Sequence, residues 1–118
     1  MANMKKLGAE WTRELKKGSI QPCIMAVLSS DKKYGFQIIK ELRELSSGYF
    51  DLKEGTLYPA LHRLEKRGYL KSEWITQEHG MPRKYYTLTK QGTKALEEAK
   101  AEWKAMVESC NIVLEAGK

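Results

Sequence analysis

The apolar residues of this 118-residue chain keep a helical period except in one stretch, and that exception constrains the fold most. After Gly68 the period drops from 3.6 to 2. Tyr69–Thr76 and Lys84–Leu88 are rich in aromatic and β-branched residues, and Gln77-Glu78-His79-Gly80-Met81-Pro82-Arg83 between them is polar and turn-forming. Two strands joined by such a tip make a hairpin, with Arg83 and Lys84 leaving it. Helical segments precede it and one long helical segment follows. The order predicts a mostly α fold with a small two-stranded β wing: a winged helix-turn-helix domain over residues 1–89, then a long C-terminal dimerisation helix over 90–118.

The segments before the hairpin support that reading. Leu7, Trp11 and Leu15 are spaced four apart in a helix-forming stretch, and Gly18-Ser19 interrupts it. Ser19 is placed to cap a second helix, with Pro22 in its first turn. A third helix is expected from about Tyr34 to Leu45, closed by Gly48. The fourth starts either near 52, from the capping box Asp51/Glu54, or at 57, from a Thr56 cap, and stops at Gly68. At 100° per residue, Leu57, Leu61 and Leu64 lie within about 60° of each other. The opposite face is centred on Pro59 and Lys66 and flanked by Thr56, His62 and Arg63. A short helix with an apolar anchor and an outer row of donors suits a DNA major groove.

From Thr89 to about Leu114 the chain is helical again. Leu96, Ala99, Trp103, Met106, Cys110 and Val113 are spaced 3, 4, 3, 4, 3, an unbroken a/d seam. Such a seam needs a cover, and in so short a chain the cover is the equivalent helix, or the N-terminal helix, of a second subunit. This predicts a homodimer, with Trp11 packing against a neighbouring helix or the partner.

Charge allows a polyanionic partner without proving one. The formal net charge is +6, but residues 1–33 carry seven basic and three acidic groups, and 90–118 carry five of each. The longest apolar run, Cys23–Leu28, is six residues, far below the roughly 20 of a membrane span. Lys5 and Lys6 are not followed by an apolar stretch, so the expectation is a cytoplasmic protein with reduced thiols and no membrane partner. Cys23, Cys110, His62 and His79 lack metal-ligand spacing, and both cysteines are expected to be buried structural thiols. No nucleophilic triad, paired carboxylates or phosphate loop stands in a plausible context, so no enzyme activity, metal or cofactor is expected.

Three motifs in order carry a family resemblance. Tyr34-Gly35-Phe36-Gln37-Ile38-Ile39, then Gly55-Thr56-Leu57-Tyr58-Pro59, then Gly80-Met81-Pro82-Arg83-Lys84-Tyr85-Tyr86-Thr87-Leu88-Thr89 with Gly92, resemble the second helix, recognition helix and wing of PadR-family transcriptional regulators. The resemblance covers roughly residues 15–110, with Lys53 where many members have a capping Ser. It implies a homodimer on a palindromic double-stranded DNA operator, usually a repressor released by a small molecule or another cue. In drug-sensing members a Trp near the middle of the last helix lines a central pore, and Trp103 matches it. A small flat apolar or cationic effector would then meet Trp103, Ala99 and Met106. The alternative is that Trp103 only fills the dimer interface.

The DNA-contacting set expected from these readings is Lys32, Lys33, Thr56, Tyr58, Pro59, His62, Arg63, Lys66, Arg83 and Lys84. Tyr58, about 100° from the leucine face, could instead pack at the domain edge and lend its hydroxyl to phosphate. Lys66 could serve the helix dipole, and Lys32 and Lys33 could be plain turn residues. The dimer set is Trp11, Leu96, Ala99, Trp103, Met106, Cys110 and Val113. The rival reading of the whole chain is a winged-helix protein-interaction module with a coiled-coil arm and no specific DNA target.

Overall fold

The computed structural model describes residues 2–117, with side chains from residue 8 onward; the apolar position Leu7 lies outside those described side chains. The chain order is α1 (Ala2–Lys17), α2 (Ile20–Val27), β1 (Lys33–Tyr34), α3 (Gly35–Leu45), α4 (Glu54–Lys66), β2 (Leu70–Ile75), β3 (Arg83–Leu88) and α5 (Lys90–Ala116). The sheet is antiparallel in the order β1-β3-β2. The expected two-stranded wing is β2 and β3, and β1 adds a third strand to the sheet, because Lys33 and Tyr34 pair with Tyr86 and Tyr85. Two residues are too few for alternation to register in a sequence.

The core is built where the apolar faces of the short helices meet. Ile24 of α2, Ile38 of α3, and Leu57, Leu61 and Leu64 of α4 are fully buried, and Leu70, Tyr86 and Leu96 close the cluster. The helix boundaries follow from local chemistry. Ser19 stands at the N-cap of α2, where its carbonyl accepts from Cys23 N, but its side chain makes no capping bond; its hydroxyl donates to the Lys16 carbonyl at 2.9 Å and closes α1 instead. Gly48 N donates to Arg43 O at 2.8 Å after α3, with φ +86°, as an αL closure requires.

Helix α4 starts at Glu54, between the two expected starts. The Asp51 carboxylate is engaged by Arg43 of α3 at 3.6 Å, and Leu52 is buried in the core. Residues 51–53 therefore stay outside the helix, with Lys53 extended, and the Lys53 carbonyl accepts from Thr56 and Leu57. Pro59 lies inside the helix, where it cannot donate to the Gly55 carbonyl one turn back. The end is a Schellman closure: Tyr69 N donates to Leu64 O and Gly68 N to Glu65 O, each at 3.0 Å, with Gly68 at φ +83°.

One joint attaches α5. Thr89 is its N-cap and accepts from Gly92 N at 2.9 Å, while its own hydroxyl donates to Gly68 O at 2.7 Å. Gly92 is required there, since a Cβ would overlap the Tyr69 carbonyl and lie 2.7 Å from Leu88 Cδ1. Leu96, expected in the dimer seam, is only 3% exposed and belongs to the protomer's own core. A seam spacing looks the same whichever apolar surface covers it. Beyond Glu97 nearly all of α5 is exposed, and the molecule measures 58 × 36 × 22 Å.

Candidate nucleic-acid interface

Helix α4 divides into two faces. Leu57, Ala60, Leu61 and Leu64 are buried, whereas Thr56, Tyr58, Pro59, His62, Arg63 and Lys66 are all exposed. The core thus holds α4 by its apolar side and leaves the expected donor row in solvent. Glu65, half-buried, turns toward the sheet, where its carboxylate accepts from the Ser72 hydroxyl at 2.5 Å. That bond fixes the wing against the helix.

The wing's two basic residues lie on opposite faces of β3, as adjacent strand residues must. Arg83 stacks on Tyr34 with its guanidinium carbon 4.5 Å from the ring centroid, and Tyr34 packs edge-on to Tyr85 at 5.4 Å. Lys84 Nζ lies 6.0 Å from the Trp74 ring and 5.7 Å from Tyr86. Each cation therefore stands on an aromatic platform. Exposed Trp74 beside Lys84 and exposed Met81 at the tip are absent from the expected set. The cross-strand pairing of Trp74 with Lys84 was the available signal, visible once the hairpin register is known.

Lys32 and Lys33 part company. Lys32 is exposed, pairs with Glu73 at 3.7 Å and reaches the Tyr85 ring at 5.9 Å. Lys33, expected beside it in the DNA-contacting set, is instead engaged within the fold. Its side chain is 13% exposed, and its ammonium donates to Val27 O, Ser30 Oγ and Asp31 O and pairs with Glu41 at 3.5 Å. It serves the carbonyls at the end of α2.

The Tyr86 phenol is pushed above its ordinary value near 10, first by burial, then by the nearby Glu65 carboxylate and Tyr58. Burial also raises the Cys23 thiol, which is only half-buried; Cys110 is exposed on the chain rather than buried as expected. Among the described residues no three His, Cys, Asp or Glu side chains gather as a metal site. No described helix is long and apolar enough to cross a membrane.

The seam residues beyond Ala99 are solvent-facing: Trp103 is 50% exposed, and Met106, Cys110 and Val113 lie open along the same helix. Trp11 and Leu15 of α1 are exposed too. A groove of about 430 Å³ runs between the α1–α2 junction, the end of α4 and α5, with Gln21, Met25, Arg67 and Tyr69 in its wall. Of the three residues expected at an effector, Ala99 lines this groove, while Trp103 and Met106 do not.

A three-helix core, a helix with an outward polar face and a β-hairpin beside it define a winged helix-turn-helix protein. The chain belongs to the PadR-like family of transcriptional regulators, whose family model matches residues 24–98. Members of that family are transcriptional regulators, not enzymes. A PadR family transcriptional regulator from Eggerthella lenta is 31% identical, with 98% of each chain covered and a TM-score of 0.83. A PadR family transcription regulator from Clostridium difficile is 38% identical over 80% of this chain and 97% of that one, with a TM-score of 0.71. The transcriptional regulator YqjI of Escherichia coli is 32% identical over 81 residues, 69% of this chain but only 37% of that longer protein.

Proposed function

We propose that the chain is a homodimeric repressor that binds a palindromic DNA operator, with α4 in the major groove and the wing on the adjacent backbone or minor groove. The observation that carries this reading is the division of α4 into a sealed leucine face and a fully exposed face bearing Thr56, Tyr58, Pro59, His62, Arg63 and Lys66. Arg63 suits a guanine edge, where a bidentate pair discriminates by about 1–3 kcal/mol. Lys32, Arg83 and Lys84 supply charge for phosphates. The exposed row Trp103, Met106, Cys110 and Val113, with Trp11 on α1, supports a dimer closed by α5 beyond Leu96.

Selection of duplexes from a randomised pool, followed by a salt titration of the winner, tests the proposal. A palindromic consensus and a linear fall of log affinity with log salt are expected, and the Arg83→Ala/Lys84→Ala variant should flatten the slope. Selection of no duplex would leave the protein-interaction module in its place. Effector release belongs to the same proposal. Two Trp103 rings across the dimer axis would stack on a flat apolar or cationic ligand, and a Trp103→Ala protein that releases DNA with unchanged ligand response would exclude that role.

A further inference from the structure

Gly35 is the first residue of α3 and is buried, yet its backbone does not call for glycine. Its φ is not among the positive values, which belong to Ser47, Gly48, Gly68 and Gly80. Glycine at a helical position with ordinary dihedrals forgoes stability that alanine would supply. What fills the space a side chain would take is a neighbour. A Cβ on Gly35 would overlap the Tyr58 hydroxyl and lie 2.9 Å from Tyr58 Cζ and 3.3 Å from Cε1.

Tyr58 spans the junction of α4 with α3. Its backbone follows Leu57, which is fully buried, and its phenol end rests in the notch that Gly35 leaves at the start of α3. The ring therefore lies across the start of α3, where α3 and α4 approach each other. The ring is still 45% exposed. One turn along α4, on the same outer side, stands His62.

We propose that Gly35 is a positioning residue for the DNA-reading face. The missing side chain seats the Tyr58 hydroxyl, which sets both the direction of the exposed ring edge and the approach of α3 to α4. This inference rests on the DNA-binding reading above. It assigns Tyr58 a fixed pose rather than a mobile one, and it gives the glycine of the Tyr34-Gly35 pair a task performed through another helix.

A double-mutant cycle on the full chain tests it, with wild type, Gly35→Ala, Tyr58→Ala and the double variant. The probe is the duplex that wild type selects from a randomised pool, read by fluorescence anisotropy, with thermal melts alongside. Gly35→Ala alone should weaken duplex binding by about tenfold or more and lower the Tm. In the Tyr58→Ala background the same change should alter affinity by less than about twofold and leave the Tm unchanged or raised, because alanine is the better helix residue once the ring is gone. A melting penalty that reverses sign between backgrounds is an outcome that a generally fragile helix start would not give.

Equal losses of affinity in both backgrounds, or a harmless Gly35→Ala in wild type, would overturn the proposal while leaving the DNA reading intact. If Gly35→Ala fails to fold, a folded double variant supports it and an unfolded one overturns it. A wild type that selects no duplex overturns the DNA reading and this proposal together.

Discussion

Lys33 and Arg63 carry the same charge, but only Arg63 stands exposed to solvent. The ammonium of Lys33 is spent on carbonyls at the end of α2 and on Glu41. Lys33→Met keeps the stem and removes those donors. We expect it to destabilise the fold by about 1–3 kcal/mol, the cost of leaving partly buried acceptors unpaired, and to leave the salt slope of duplex binding unchanged. Chemical denaturation beside a salt titration checks both halves. Tyr86 gives a second expectation at this scale. Its raised pKa means the folded state holds the phenolic proton more tightly than the unfolded chain. That stability is fully present below the unfolded value near 10 and is lost as pH rises through the folded value. Melts of wild type and Tyr86→Phe across about pH 9–11 should therefore show a shallower alkaline fall of Tm in the variant.

Among the elements, the joint at Thr89 and Gly92 governs the most. Because a Cβ at residue 92 meets a backbone carbonyl rather than a yielding side chain, Gly92→Ala must shift α5 against the α4–β2 turn. We expect a loss of about 1–3 kcal/mol, as for other overpacked contacts, measurable by urea denaturation. What the sequence disclosed at this scale followed from periodicity. The outer face of α4 is legible because Leu57, Leu61 and Leu64 repeat at helical spacing, and the wing because the period changes at Gly68. The start of α4 is not legible, because Arg43 on another helix takes Asp51 and the core takes Leu52. Strand β1 is two residues long, and Leu96 keeps seam spacing while packing inward. In each of these cases the deciding partner lies on another element.

Across the whole molecule, the apolar surface is uneven. The winged-helix body buries its leucines, while the distal part of α5 leaves Trp103, Met106, Ile112, Val113 and Leu114 in solvent. Under the dimer reading, Met106→Glu should convert the protein to a monomer in sedimentation. It should weaken binding to a two-half-site duplex about a hundredfold, while the melting of the winged-helix body stays unchanged. A monomer that keeps wild-type affinity would contradict the dimer's part in operator binding.

The Thr89–Gly92 joint makes α5 a lever as well as a strut. A helix of 27 residues is about 40 Å long. With its root bonded to the turn that ends α4, a tilt of about 5° at the far end's crossing would carry the two reading heads about 3.5 Å relative to that crossing. Under the dimer reading, two such levers joined through α5 would work as callipers, whose opening is set far from the jaws. A molecule wedged between the tips would then alter the gap between half-sites without touching a single DNA-contacting side chain.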